Sequence, residues 1–166
     1  DAVFLREMGN HDIEFIREFG TEPLEGSFDA RMLGQAVGNL IKNAVEAIEA
    51  VPRDELGEGG KVMVRSTFDH EQDRFVVDVV DNGRGLPVEN RHRILEPYMT
   101  MRDKGTGLGL AIVKKIIEEH GGQLELHDAP PEFDRGRGAM IRIVLPRIET
   151  PAATDADSNR EMVHGL

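Results

Sequence analysis

Between Asp29 and Glu49 the apolar residues fall at Leu33, Ala36, Val37, Leu40, Ile41, Ala44 and Ile48. Steps of three and four line up on one face only in an α-helix. This stripe constrains the chain more than any other feature, because a one-sided helix must cover an apolar surface supplied elsewhere. Asp29 stands where an N-cap belongs, and Pro52 with Gly57-Glu58-Gly59-Gly60 ends the run. The spacing therefore predicts a helix over residues 30–50.

The surface it covers reads as strands. Ile13, Phe15 and Phe19 alternate with largely polar neighbours, as a half-buried strand does. Val62–Phe68 and Phe75–Val80 flank the polar turn His70-Glu71-Gln72-Asp73, and the second is almost wholly apolar, as a central strand would be. A polar, Gly-bounded segment then runs from Gly83 to Gly105. A second helix follows from about Thr106 to His120, apolar at Leu108, Ala111, Ile112 and Ile116, stopped by Gly121-Gly122. Two further strands, Gln123–His127 and Ala139–Leu145, are joined by the Pro-, Gly- and charge-rich loop Asp128–Gly138. The order β, α, ββ, long loop, α, ββ predicts an α+β fold: a two-layer sandwich with one mixed sheet covered on one face by helices.

Residues 1–11 read as a connector, 12–147 as the domain, and 148–166, where periodicity vanishes, as a flexible tail. The start at Asp1 lacks an initiator Met, and the chain reads as a piece cut from something longer. With 166 residues it can bury a core without staples. No cysteine is present, which excludes disulfides, thiolate zinc sites and cysteine nucleophiles and fits a reducing compartment. The 31 acidic residues against 20 basic ones give a net charge of −11, a poor match to nucleic acid or an anionic membrane. No apolar run reaches the ~18–20 residues that span a bilayer.

Three features carry chemistry. The first is Asn39 and Asn43, about 40° apart on the first helix, with Gln35, Lys42 and Glu46 nearby. Asn is a mediocre helix former. Its amide oxygen is a hard neutral ligand suited to Mg²⁺, although both side chains could equally face solvent. The second is Asp81-Asn82-Gly83-Arg84-Gly85-Leu86-Pro87, directly after the apolar strand. A hairpin turn is the plain reading, but no strand returns. A carboxylate there can accept an exocyclic amine such as that of adenine, and the glycines let a flat ring approach. The third is Lys104-Gly105-Thr106-Gly107-Leu108-Gly109-Leu110. Glycines opening a helix leave free N–H groups and a positive dipole end for an anion, or else serve helix-to-sheet packing. The pattern is neither a P-loop nor a dinucleotide fingerprint.

The intervening stretch Arg84–Gly105 holds five basic residues (Arg84, Arg91, Arg93, Arg102, Lys104) against three acidic ones (Glu89, Glu96, Asp103), a net +2 within a chain of −11. It reads as a mobile lid over phosphates, or as an ordinary solvated loop.

Taken together, these residues resemble the ATP-binding catalytic domain of sensor histidine kinases, in the GHKL superfamily. Asn39-Leu40-Ile41-Lys42-Asn43-Ala44 resembles the N box, Asp81–Gly85 the G1 box, Glu96-Pro97-Tyr98-Met99-Thr100 the F box and Gly105–Gly109 the G2 box. Asn43–Ile48 and Gly105–Gly122 are most similar to NtrY-type nitrogen-regulation kinases. The resemblance, over about residues 12–146, implies the Bergerat fold with a mobile ATP lid, and ATP with Mg²⁺ as cofactors. It implies that Asn43 ligates Mg²⁺, that Asn39 meets metal or phosphates and that Lys42 offsets phosphate charge. Asp81 would bind the adenine amine, with Gly83, Gly85 and Tyr98 in the nucleotide site. Arg102 and Lys104 would reach the phosphates, and Gly105, Thr106, Gly107, Leu108 and Gly109 would cradle them.

The implied activity is transfer of the ATP γ-phosphoryl to a histidine on a dimerisation domain absent from this chain, for relay to a response-regulator aspartate. The alternatives are a non-catalytic nucleotide sensor and an anti-sigma-type serine kinase. The implied partners are that dimerisation and phosphoacceptor domain and a receiver domain, with no nucleic acid. The fragment would be a monomer, its parent a homodimer in the inner membrane with this part in the cytoplasm. None of His11, His70, His92, His120, His127 and His164 sits in an acceptor context, so each reads as structural or exposed. Three departures from the pattern stand out. Tyr98 replaces the usual Phe, and Gly138-Ala139-Met140 lacks a Thr hydroxyl near adenine. Asn39 replaces the water-activating Glu of gyrase, Hsp90 and MutL, and an amide cannot act as a general base.

Overall fold

The computed structural model describes residues 12–23, 26–99 and 108–147. Five strands, β1 (Ile13–Phe19), β2 (Gly60–Asp69), β3 (Arg74–Asp81), β4 (Gln123–Asp128) and β5 (Ala139–Pro146), form one sheet in the order β1-β2-β3-β5-β4. β1 runs parallel to β2 and every other pairing is antiparallel, so the sheet is mixed. Two helices, α1 (Ala30–Glu49) and α2 (Gly109–Glu119), pack on one face. The connector 1–11 and tail 148–166 lie outside the described residues.

Asp29 caps α1 as its position predicts, accepting the Arg31 and Met32 N–H groups at 3.0 and 3.1 Å. Such a cap contributes about 1 kcal/mol. The periodic stripe becomes the buried face: Leu33, Ala36, Leu40, Ala44 and Ile48 are all buried. Full burial of side chains such as Leu40 and Ile48 is worth ~1.5–3 kcal/mol each. They meet Val62 and Val64 of β2, Phe75, Val77 and Val79 of β3, and Ile141, Ile143 and Leu145 of β5. Because strand side chains alternate, these odd and even sets all fall on the helix-covered face through the register Val62↔Asp81, Val64↔Val79 and Val79↔Ile141.

α2 begins three residues later than the pattern suggests, at Gly109, with Leu108 as its first cap residue. Its far end returns to the start of α1, so the two helices are antiparallel. His120 makes that join, its Nε2 accepting the Asp29 N–H at 3.1 Å while its Nδ1 lies 2.7 Å from the Ile116 carbonyl of α2 itself. Of the other histidines, His70 and His92 are exposed, His127 pairs with Glu125 at 2.9 Å, and His11 and His164 lie outside the described residues.

The opposite face carries a smaller second core. Met63, Val80 and Met140 are covered there by Ala129 and Phe133 of the β4–β5 loop, a role its polar composition does not advertise. Beside them Asp78, 1% exposed, lies between two arginines. Arg65 Nη2 donates at 2.9 Å and Arg142 Nε at 2.8 Å to its carboxylate. Burial alone would raise the Asp78 carboxyl, but the hydrogen bonds and charges of Arg142 and Arg65 outweigh it and hold it below the ordinary 3.8.

Removing Asp78 would leave two guanidinium groups without their shared anion. Asp78→Ala is expected to lose ~3–5 kcal/mol of stability, read from urea unfolding at pH 7. Since the folded-state carboxyl is depressed, the contribution is present above about pH 4 and fades as pH falls below it, so the gap between variant and wild type should close in acid.

Candidate functional site

The end of β3 and the C-terminal half of α1 come together through main-chain contacts that leave no room for a side chain. A Cβ on Gly83 would lie 2.5 Å from the Ala47 carbonyl carbon and 2.7 Å from the Ile48 nitrogen. The next residue fastens the contact, the Arg84 N–H donating to the Ala47 carbonyl at 3.1 Å. Gly83 therefore sits on the α1 backbone one turn beyond Asn43, as helical geometry of 3.6 residues per turn places it.

Asp81 closes β3 within this junction. It is 5% exposed, and its Oδ1 accepts the Gly83 N–H at 2.8 Å in a local turn. Burial pushes its carboxyl up to about 7, while N–H bonds from Gly83 and Ala139 and the charge of Arg84 pull only partly the other way. A neutral-leaning carboxyl in a strand end is an unusual placement, and strongly shifted groups concentrate at functional sites.

From the other side β5 approaches. Ala139 pairs directly with Asp81, and Gly138, in the left-handed region at φ 99°, precedes it. A Cβ on Gly138 would fall 1.9 Å from the Asp81 carbonyl oxygen, so no other residue fits. Gly85, at φ 79°, lies over Gly138, and a Cβ on it would be 3.4 Å from the Gly138 carbonyl oxygen. Ala139 supplies an N–H and a methyl where the sequence suggested a hydroxyl is missing. The sequence placed Gly138 near adenine only as part of a segment lacking a hydroxyl, and its close approach to the Asp81 main chain was not read. The signal was there: two glycines, Gly136 and Gly138, just before a strand.

The third side is the start of α2. A Cβ on Gly109 would be 3.7 Å from Asn43 Oδ1 and 3.9 Å from its Nδ2, which puts the Asn43 amide against the first residue of that helix. The N-terminal, positive dipole end of α2 thus lies toward α1 at Asn43. Asn39 is half-buried one turn earlier on α1, whereas Lys42 is exposed, about 100° around the helix from Asn43. Leu108 and Gly109 are half-buried. Tyr98 is 77% exposed and holds a left-handed backbone at φ 65°. Arg102, Lys104, Gly105, Thr106 and Gly107 lie outside the described residues.

The segment after Gly85 is tied down at its base. Arg91 donates from Nε to the Pro87 carbonyl at 2.7 Å and from Nη2 to Asp128 Oδ1 at 2.7 Å. It joins the short 3₁₀ turn Arg91–Leu95 to the end of β4. Among the described residues no group of three or more His, Asp or Glu could hold a metal by itself. None of the described helices is long and apolar enough to cross a membrane.

One edge of the site thus offers a buried carboxyl framed by glycines, and the other a side-chain amide facing a helix N-terminus. That combination suits a flat polar ring at one end and an anion at the other.

Residues 28–149 match the family described as histidine kinase-, DNA gyrase B- and HSP90-like ATPase. The chain is 48% identical over 95% of its length to the nitrogen regulation protein NtrY of Azorhizobium caulinodans, of which it spans 19%. It is 39% identical over 85% of its length to a putative NtrY-like sensor histidine kinase of Rickettsia conorii, spanning 21% of that protein. In three dimensions it resembles the mycobacterial sensor histidine kinase MprB with a TM-score of 0.66 at 33% identity, covering 82% of this chain and 86% of that one. The chain belongs to the family of histidine kinase-, DNA gyrase B- and HSP90-like ATPases.

Proposed function

We propose that this chain is the catalytic domain of a two-component sensor histidine kinase. It binds ATP with Mg²⁺ and presents the γ-phosphoryl to a histidine on a dimerisation domain outside the chain, for relay to a response-regulator aspartate. The observation that carries the reading is the convergence of Asn43, Asp81 and Gly109 on one edge of the sandwich, through Gly83 on the α1 backbone and Asn43 against α2. Residues 12–147 form the domain, 1–11 the connector and 148–166 a tail. An ATP-consuming domain of this kind works in the cytoplasm, as a monomer when separated from the dimerisation helices.

In this reading the Asp81 carboxylate accepts the exocyclic amine of adenine, and Gly83, Gly85 and Gly138 let the surrounding backbone close around that carboxyl and shape the pocket. The phosphates lie toward the N-terminus of α2, where Leu108 and Gly109, with Gly105, Thr106 and Gly107 before them, supply N–H groups and a positive dipole end. Arg102 and Lys104 add charge from the lid, Lys42 adds it from α1, and Tyr98 flanks the nucleotide. The donor set fits Mg²⁺, which favours hard oxygen ligands shared between protein and phosphates: Asn43 would hold it, and Asn39 would hold it or the phosphates. When bound, the ion supplies neutralisation of phosphate charge.

Phosphoryl transfer then requires little more than positioning. An imidazole nitrogen of the acceptor histidine forms a bond to Pγ as the bond to the β,γ-bridging oxygen breaks, and ADP leaves with that electron pair. The Asn39 amide cannot deprotonate water, which favours transfer over hydrolysis.

The purified chain should bind ADP but label itself scarcely at all with γ-labelled ATP. Mixed with a separately expressed acceptor domain from an NtrY-type kinase, it should give an acid-labile, base-stable phosphohistidine. Asn43→Ala should lower that rate by at least about 10²-fold, as loss of a positioned electrostatic group does. An acid-stable phosphoserine, or no product at all, would refute the kinase assignment.

Asp81 sets a pH dependence of opposite sign for folding and for binding. In the nucleotide-free chain its folded-state carboxyl is raised from 3.8 to about 7, so stability is full below pH 4 and falls as pH rises to 7. About three units at 1.36 kcal/mol each amount to ~4 kcal/mol. Asp81→Asn should be free of this decline in urea unfolding. Adenine needs the ionised form, so ADP affinity of the wild type should climb between pH 6 and 8 with proton release near 7, measurable by calorimetry in buffers of different ionisation enthalpy. Asp81→Asn should lose both the binding and the proton release.

A further inference from the structure

The residue after Asp81 is a side chain that the proposed chemistry does not use. Asn82 is 0% exposed. Its Oδ1 accepts the Lys61 N–H at 2.7 Å, and its Nδ2 donates to the Gly59 carbonyl and to Asp134 Oδ2, each at 3.0 Å. Its own N–H donates to the Lys61 carbonyl at 3.2 Å. A backbone N–H can only donate and a backbone carbonyl can only accept, so these two main-chain partners fix which way the amide points. Asn82 thereby pins three segments to one another: the start of β2, the end of β3 and the β4–β5 loop.

That loop is under conformational strain. Asp134 and Arg135 are left-handed at φ 42° and 61°, and Gly136 and Gly138 follow at 77° and 99°. Left-handed backbone at non-glycine residues persists only where the surroundings hold it. Asp134 is held by the Asn82 amide and, at 3.9 Å, by Lys61 Nζ. Four residues further on, the same loop presses Gly138 onto the Asp81 main chain and delivers the Ala139 N–H to the Asp81 carboxyl. One loop therefore touches Asn82 at its first anchor and Asp81 at its last.

We propose that Asn82 is a positioning residue for base recognition: by holding Asp134 it sets the path of the β4–β5 loop, and through Gly138 and Ala139 the direction of the Asp81 carboxyl. The proposal rests on the adenine reading of Asp81 and deepens it, since it places control of base selectivity in side chains that meet no part of the nucleotide. Asn82→Asp is the informative substitution. It preserves size, has no N–H for the Gly59 carbonyl, and sets a third acid beside Asp81 and Asp134. Among the described residues, the other charged groups around this cluster include Lys61, with Glu58 and Glu14 beyond it, and Arg84 on the Asp81 side.

The test uses the full 166-residue chain. ADP and GDP titrations from pH 6 to 8.5, with thermal unfolding in the absence of nucleotide, compare wild type with Asp134→Ala, Asn82→Ala and Asn82→Asp. Asp134→Ala, which removes the Asn82 hydrogen bond and the longer Lys61 ion pair, should weaken ADP binding about 3–10-fold and narrow the preference for ADP over GDP, with the unfolding temperature shifted by at most a few degrees. Asn82→Ala should lose more in both. Asn82→Asp should move the pH midpoint of ADP binding upward. Wild-type affinity, base preference and pH midpoint in both Asp134→Ala and Asn82→Asp would overturn the proposal, leaving Asn82 a structural amide. Those outcomes with an ADP-selective wild type would sink this inference alone. A wild type that binds neither nucleotide would overturn the adenine reading and this one with it.

Discussion

Main chain meets main chain at the end of β3, with no side chain between. Gly83 lies against the Ala47 carbonyl of α1, and Gly138 against the Asp81 carbonyl of β3. These two approaches draw a helix, a central strand and a strained loop to one point. The hydrogen bond from Arg84 to Ala47 then carries the chain away across α1. Adding a methyl at either glycine would push apart the elements that bring Asn43 next to Gly109 and leave Asp81 buried beside Ala139. The functional edge depends on atoms that are absent.

Two aspartates on β3, three residues apart, show how environment decides chemistry. Asp78 faces the sheet surface away from the helices and meets two arginines, so its carboxyl is held low. Asp81 faces the junction with α1, where its direct donors are backbone N–H groups, and burial drives it up to about 7. The first arrangement fixes structure, because both oxygens are committed to guanidinium groups. The second leaves a buried carboxyl with acceptor capacity to spare, the property that a ligand amine can use. Asn82, between Asp81 and Gly83, has all of its amide committed and belongs with the first kind.

Much of the fold was legible because it follows from periodicity. The stripe from Leu33 to Ile48 became the buried face of α1, and the apolar run Phe75–Val80 became the middle of the sheet. The Asp29 cap formed as its residue type and place required. Less legible was the β4–β5 loop. Its glycines, prolines and charges mark only a loop, yet Phe133 and Ala129 fill a second core under it. One aromatic in a polar loop carries no period, so pattern reading has nothing to count. The start of α2 was set too early for a similar reason: glycines weaken the helical signal over the residues that open it.

The sequence by itself determined the two amphipathic helices, the alternation of the strands and the presence of amide, carboxylate and glycine groups in a fixed order, since each is a local property of residue type and spacing. Only the tertiary structure decided that Asn43 faces Gly109, that Gly138 crowds Asp81 and that Asn82 reaches Asp134, pairs separated by between 52 and 66 positions. Contacts at such separation depend on strand order and on how α1 lies across the sheet. Neither is encoded in any single window of residues; both follow from the packing of all the apolar faces at once.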